Sequence, residues 1–580
     1  MVEGRIASTL TLQNVRLLPE AYSALNNITV PQDQKSELPL VDLQYIHYEP
    51  SSNSSEISFV EVHVAPSTSS SDKVQLAFDP SQPFQSTCVD STRREPGDAL
   101  STWSQKSLLV SRITIPSCIA SGISNMPHKC IDTHGSLAIP GGLCHPHIHL
   151  DKPYLLSRTL LETGTFSEAL SSTAKAKALF TPLDLRKRMR RLVATSISHG
   201  VTSMRAFVEV DPAVGLMCLE SGIEVKKEFE HKCFVQLVAF AQDPIFYPED
   251  LIKQQEMQEL LREAASRVEV DVVGSAPYVE TLSKQDQRNL QERQKKKLQK
   301  QQQRKNVDFI FDLAQEYDKH VDFHLDYDLS PPGPSEDGEE SMIPYVVRIS
   351  NQQRWQYGTS GKQRRVTMGH CTKLSTFSDS DLDQLAEVLP QNCSSKAVPP
   401  VSFVALPSSD LYMQARDETY MNRSRATLPL LGLKSHPKFK GKHVNWAIGV
   451  NNVANLFTPQ GDADPLTMLP GLVGIWQSAK PQDCETLLSG ISTSARIAAG
   501  LQSDFVKCKA VPDVDDDTSS AQEGGKDSFE SDQSNIWADL VVIDGTHSIQ
   551  EACCAPSYSR ITIKDAIIVS RRRVESQVYP

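Results

Sequence analysis

From about residue 139 onward, short apolar runs alternate with charged stretches of helical length, and no other feature of the chain constrains its fold as strongly. The runs are Gly200–Val208, Val235–Phe240, Val270–Gly274, His320–Leu325, Val366–His370, Val401–Leu406 and Trp446–Val450. Between several of them lie stretches such as Pro182–Ser198 and Val307–Lys319. Repeated alternation of this kind predicts βα units and a parallel sheet or barrel. Before residue 139 the texture differs. Leu10–Leu17 alternates apolar and polar residues, the period-2 mark of a half-buried strand. Further strands are expected at Ile57–Val64, Val74–Phe78 and Leu108–Ile115, with loops such as Ser51–Ser55 and Ser67–Ser71 between them. Ala538–Asp544 and Ile561–Val569 return to short strands, so both chain ends read as β around an α/β centre.

At about 150 residues per domain, 580 residues would allow roughly four domains. Charged residues make up 22% and apolar ones 39%, which is apolar-poor for one globule yet far above a disordered chain. The excess length is therefore expected in polar insertions. Ser283–Lys305, dominated by Gln, Lys and Arg, reads as a solvated helical or disordered insertion. Asp513–Ser534 reads as a disordered acidic linker. The net charge of −12 argues against a broad nucleic-acid or anionic-membrane footprint. Met1–Leu10 has no apolar leader core, no run of about 18 apolar residues is present, and the chain ends Val-Tyr-Pro without a retention signal. The 12 cysteines include no C-x-x-C pair and read as scattered reduced thiols, so a cytoplasmic location is expected.

The strongest local signal is Pro146-His147-Ile148-His149-Leu150-Asp151-Lys152, after the turn Pro140-Gly141-Gly142. On a strand, His147, His149 and Asp151 share one face, and two imidazoles on one face can chelate a divalent metal. Alone, such a pair is as well explained by chance. His324 and His370 each end a predicted barrel strand, where distant side chains converge. His199, His436 and His443 lack this placement and read as structural or exposed.

With these residues in view the chain resembles the amidohydrolase superfamily, in its cytosine deaminase-like branch. The resemblance rests on Pro146–Asp151; His199-Gly200-Val201 with Arg205; Ile223–Glu228; Gln236–Gln242; and Asp271–Gly274 with Pro277 and Glu280. It continues through Leu313–Asp318, His324–Asp326, Val366–His370 and Thr493–Arg496. It implies a TIM-like (β/α)8 barrel over 139–502, interrupted by the 283–305 insertion. It also implies a small composite β-sandwich from 1–138 and 538–580, with 503–537 as linker. By resemblance His147, His149 and His324 match metal ligands, and His370 a histidine that holds the metal-activated water. Gln242 matches a glutamine that reads the substrate, and Phe457 an aromatic residue beside it. The implied cofactor is one divalent ion, zinc or iron, since histidine sites with oxygen donors suit both. The implied substrate is a small nitrogenous heterocycle whose C–N bond is hydrolysed.

Two departures stand against this pattern. Tyr327 occupies the place of the family's proton-shuttling glutamate, and Asn451 the place of its metal-binding aspartate. Asn451 can still ligate through its carbonyl oxygen but accepts no proton. Losing one positioned acid or base typically costs about 10²- to 10⁴-fold in rate. Asp151, Asp326, Asp462 and Asp464 are candidates to compensate, and Lys152 to pair with one of them. Three functions follow: a C–N hydrolase, favoured here; a degenerate member that binds metal or ligand without turnover; and an interaction scaffold using the Gln/Lys insertion. Oligomerisation is left open.

Overall fold

The computed structural model describes residues 6–18, 21, 40–48, 57–66, 108–116, 129–352, 355, 363–391, 398–415, 426–501, 536, 538–575 and 577. The expected strand Val74–Phe78, the loops Ser51–Ser55 and Ser67–Ser71, and the linker Asp513–Ser534 lie outside the described residues. The chain forms two compact units. One comprises Met1–Gly142, Gln502–Ala552 and Pro556–Pro580, and the other Leu143–Leu501 with Cys553–Ala555.

The first unit holds a sheet built from both chain ends. Its strands are β1 (Ile6–Leu17), β2 (Val41–Tyr48), β3 (Ile57–Pro66), β4 (Leu108–Pro116), β5 (Lys129–Asp132), β6 (Leu137–Pro140), β15 (Leu540–Ile543), β16 (Arg560–Lys564) and β17 (Ile567–Arg572). The path runs β17-β16-β15-β6-β1-β2-β3-β4, with β5 also on β1. β6 joins the two ends, pairing parallel with β1 and antiparallel with β15. The single strand expected at Ile561–Val569 is instead a hairpin. Asp565 and Ala566 take φ of 50° and 64°, the left-handed pair that a tight two-residue turn requires. The four-residue strands β5 and β6 carry too little periodic signal to be read from sequence, whereas β2 alternates Val41, Leu43 and Tyr45 with Asp42 and Gln44, a period-2 signal that the sequence reading missed.

The second unit is a parallel eight-stranded barrel. Its strands are β7 (Leu143–His149), β8 (Val201–Glu209), β9 (Phe234–Ala241), β10 (Val270–Ser275), β11 (His320–Leu325), β12 (Val366–His370), β13 (Val401–Ala405) and β14 (Val444–Ile448). Each pairs parallel with the next in sequence. The circle is completed just beyond β14, where the Asn451 N–H donates to the His147 carbonyl at 3.1 Å and the His149 N–H to the Asn451 carbonyl at 2.8 Å. Helices cover the outside. In Pro182–Ser198 the buried residues Leu185, Met189, Leu192, Val193 and Ile197 recur with helical period. Thr181 caps that helix by accepting from the Asp184 N–H at 3.2 Å, and Pro182 supplies a preset φ at its start.

The Gln/Lys-rich stretch is ordered helix. It forms Lys284–Asn289 and the first half of the 25-residue helix Glu292–Glu316. Gln, Lys and Arg are good helix formers, and a capping box between Gln291 and Gln294 starts the run earlier than the apolar pattern from Val307 suggests. Only the second half packs inward, through Val307, Ile310, Phe311, Leu313 and Ala314. The first half meets an acidic loop: Lys296 reaches Glu339 at 2.7 Å and Arg304 reaches Glu340 at 2.8 Å. No helix among the described residues is long and apolar enough to cross a membrane.

Candidate active site

The side chains of interest come from the C-terminal ends of the strands, the face on which barrels gather functional groups. β7 is bulged between His145 and Ile148, so His145 turns to Ser196 at 3.2 Å while His147 and His149 face inward. β11 supplies His324 and β12 ends on His370. The imidazole centroids of His147, His149 and His324 lie 5.8, 4.7 and 5.1 Å apart, and His370 stands 5.1 Å from His324. Donor atoms of His147, His149 and His324 all fall within 4.8 Å of one another. β12 admits this closeness because Gly369 is bare: a Cβ there would lie 2.9 Å from His147 Cε1.

The donor set fits a divalent metal. Burial first, then the neighbouring imidazoles and Lys152, hold His147, His149 and His324 well below the usual imidazole range. They are neutral, the form that offers a lone pair. His147 Nδ1 and Nε2, His149 Nδ1, His324 Nε2 and Asn451 Oδ1 are buried and accept or donate no hydrogen bond. So many unpaired polar atoms in one place are rare unless a ligand satisfies them. Asn451 Nδ2 donates to Ser409 Oγ at 2.7 Å, which leaves its Oδ1 as the free atom. Behind His147, Asp322 Oδ1 lies 3.7 Å from Nδ1, and Arg205 holds the other carboxylate oxygen at 2.8 Å. Burial raises Asp322 to about 7 against the pull of Arg205.

His370 is fixed differently. Its Nδ1 lies 2.7 Å from Asp410 Oδ1, and Asp410 Oδ2 accepts from Thr427 Oγ1 at 2.6 Å. Burial raises the Asp410 carboxyl, with His370 opposing. An Nδ1–H donated to Asp410 leaves Nε2 as the acceptor. Tyr327 packs on His370, ring centroids 4.0 Å apart, and burial raises its phenol well above the usual value. It keeps its proton at neutral pH.

These groups line a small pocket. Gln242, which follows β9, projects into it. Lys152 Nζ donates to Gln242 Oε1 at 3.3 Å and pairs with Glu209 behind it. Lys177 binds the other oxygen of Glu209 at 2.8 Å and Asp211 at 2.6 Å. Burial would raise Glu209, but Lys152 and Lys177 outweigh it and hold the carboxyl down at about 2.

Of the residues expected from sequence, His149, Lys152, Gln242, His324, Tyr327, His370, Asn451 and Phe457 line the cavity, and His147 lies beneath it against His324. The four aspartates offered as replacements do not reach it. Asp151 accepts from the Glu209 N–H at 2.7 Å, and burial, then Glu209, raises it to about 6. Asp326 follows the last residue of β11 with φ of 45°, which breaks the strand alternation. Its carboxylate accepts from Ser341 Oγ at 2.5 Å and the Met342 N–H at 3.0 Å instead. Asp462 and Asp464 each bind His199 at 3.3 Å. Asp410, Ser409, Glu209 and Asp322 were not foreseen. No motif marks them: Glu209 ends β8, Asp322 lies within β11 two residues before His324, and Ser409 and Asp410 share the helix Pro407–Met413 after β13.

No protein-family model matches the chain. An N-isopropylammelide isopropyl amidohydrolase of Pseudomonas sp. (strain ADP) is 25% identical over 265 residues, 45% of this chain and 55% of that protein. The chain spans about half the length of the curated relatives it matches. The solved 5-methylcytosine deaminase of Klebsiella pneumoniae, liganded with phosphonocytosine, superposes with a TM-score of 0.62 at 18% identity, over 98% of this chain and 100% of that one. The N-isopropylammelide isopropylaminohydrolase of Burkholderia multivorans gives 0.56 at 15% identity, over 97% and 98%. At these identities the structural likeness speaks for the fold, a (β/α)8 barrel with a sheet unit from both chain ends. In sequence and in fold, the neighbours of this chain are deaminases and hydrolases of the amidohydrolase superfamily.

Proposed function

We propose that this protein is a metal-dependent hydrolase of a C–N bond in a small nitrogen heterocycle, a deaminase or a cyclic amide or amidine hydrolase. The observation that carries this is the set of three neutral, mutually close imidazoles with unpaired nitrogens, below a cavity that Gln242 enters. His147, His149 and His324, with Asn451 Oδ1, would hold one divalent ion, zinc or iron. Such an ion lowers the pKa of water toward neutrality and so supplies the nucleophile. His370, oriented by Asp410, takes a proton at Nε2 and delivers it to the departing nitrogen. Gln242 both donates to and accepts from a ring amide or ureide edge. Phe457 and Phe166, in edge-to-face contact with ring centroids 5.9 Å apart, give the pocket an apolar wall for a flat ring. The net charge of −12 fits a small-molecule partner better than nucleic acid, and the free thiols fit a reducing cytoplasm.

A second reading, ligand binding without turnover, is favoured by one observation: among the described residues, no carboxylate lines the cavity. The two readings separate on the purified protein. Metal content is measured, and pyrimidines, triazines and cyclic amides are screened for release of ammonia or amine. Turnover that disappears in His147→Ala supports the hydrolase. Bound metal with no turnover, together with activity created by Asn451→Asp plus Tyr327→Glu, supports the second reading.

A further inference from the structure

Among the described residues, Lys152 is the only Lys, Arg, Asp or Glu that lines the pocket. It is 2% exposed. An ammonium carries three N–H groups. One goes to Glu209 and a second to Gln242 Oε1 at 3.3 Å, which leaves a third for a ligand. Glu209 does not line the pocket, and Lys177 takes its other oxygen at 2.8 Å. The Lys152–Glu209 pair thus turns its positive end toward the ligand and its carboxylate away.

The amides beside Lys152 have fixed ends. Asn455 Oδ1 accepts from the backbone N–H groups of Phe457 and Thr458, both at 3.0 Å. Its Nδ2 is therefore the end that donates to Asn452 Oδ1 at 2.7 Å, and also to the Lys152 carbonyl at 3.4 Å. Asn452 lines the pocket, and with Oδ1 taken its free end is Nδ2. Lys152 likewise occupies a lone pair of Gln242 Oε1, so the other end of that amide is Nε2. Ser409 Oγ, a possible acceptor, is engaged by Asn451 Nδ2 and Thr458 Oγ1, both at 2.7 Å. Lys152, Gln242 and Asn452 therefore form a contiguous wall rich in N–H groups, with no carboxylate on it to receive a proton from the ligand.

Resting on the reading of this pocket as the site of a heterocycle hydrolase, we propose that Lys152 selects ring compounds that bind as anions. These are oxo-substituted heterocycles with an acidic ring hydrogen, such as cyclic imides and ureides. On losing that hydrogen the ring spreads its negative charge over the flanking carbonyl oxygens. Those oxygens accept from Lys152, Gln242 and Asn452. A hydrogen bond to a charged group separates such an anion from a neutral ring by about ten- to a hundredfold in affinity. An amino-substituted edge would set N–H against N–H and is disfavoured.

The test is equilibrium binding to the full chain at pH 7, with metal bound and after chelation. The ligands are barbiturate, an anion at that pH; uracil, which is neutral; and 2,4-diaminopyrimidine, whose amino groups donate. Barbiturate should bind at least about tenfold more tightly than uracil in both states of the protein, and 2,4-diaminopyrimidine most weakly. Lys152→Gln keeps an N–H donor and leaves Glu209 its bond to Lys177. It should bring barbiturate and uracil to similar affinity. The comparison within the wild type needs no variant, so misfolding of Lys152→Gln cannot hide the answer. The proposal is overturned if the wild type binds uracil as tightly as barbiturate, or binds none of the three. It is equally overturned if the preference disappears on chelation, since the ion then reads the charge, or if folded Lys152→Gln retains it. Turnover of a neutral ring without any preference for barbiturate would keep the hydrolase and remove this role of Lys152. Preference for barbiturate without turnover of any compound would do the reverse.

Discussion

Among the described residues, no carboxylate lines the pocket, in a chain with 71 acidic residues. Tyr327 and Asn451 stand at the two positions where the resemblance calls for acids, and the aspartates nearest in sequence are turned to backbone or to His199. Acids bear on the site from behind: Asp322 beside His147, Glu209 beside Lys152 and Asp410 hydrogen-bonded to His370, which makes Asp410 the proposed positioning residue of that imidazole. Asp410→Asn should keep the metal and lower turnover by about 10²- to 10⁴-fold on whichever panel compound reacts. Metal analysis beside kcat checks this, and an unchanged kcat would remove Asp410 from the account. A second buried acid makes a prediction about stability. Burial, opposed by hydrogen bonds from Asn306, Ile245 and Phe246, raises Glu280 to about 7. Its folded value lies above the unfolded value of about 4.3, so its contribution is full at low pH and is lost as pH rises through about 7. Relative to Glu280→Gln, which does not titrate, the unfolding free energy of the wild type should fall by about 2–3 kcal/mol between pH 5 and 8. Denaturant titrations at several pH values measure this, and a flat difference would show that Glu280 keeps its ordinary pKa.

At the level of single elements, the barrel strands were the most legible part of the chain. Their apolar runs are short and bounded, and β9, β10, β11 and β12 match their expected extents to within a residue or so. The bulge in β7 was not legible, because it arises from pairing with β8 rather than from local sequence. The same holds for Gly369, an unremarkable strand glycine until β7 is seen to lay His147 against it. Gly369→Ala should displace His147 and sharply reduce bound metal while leaving far-UV circular dichroism unchanged. Full metal content in that variant would mean that the histidine set tolerates the shift. In helix Glu292–Glu316 the amphipathic half carries the energy. Ile310→Ala, at a fully buried position, should cost about 2–5 kcal/mol. Lys297→Ala, on the exposed half, should change stability by no more than about 0.5 kcal/mol. Equal losses in chemical denaturation would contradict this division.

For the whole molecule, the metal proposal carries a linkage consequence. A ligand that binds only the folded state at 10²–10³ times its dissociation constant adds about 3–4 kcal/mol. A chelator should therefore lower the melting temperature of the purified protein, and added metal should restore it; a melting curve indifferent to both would argue against a site at His147, His149 and His324. The sequence by itself determined the fold class, since apolar periodicity and strand–helix alternation are local properties that survive in a linear reading. It also marked the histidines, because chemistry-bearing residues at strand ends are few. Which groups surround those histidines was decided only by closure of the barrel. Closure sets Asp322 of β11 behind His147, Asp410 of the helix after β13 against His370 and Glu209 at the end of β8 against Lys152, and there desolvation and close charges, invisible in sequence, set their protonation. It also turns Asp151 and Asp326 away, because a left-handed φ or a backbone hydrogen bond at a strand end overrides the two-residue alternation on which a sequence reading depends.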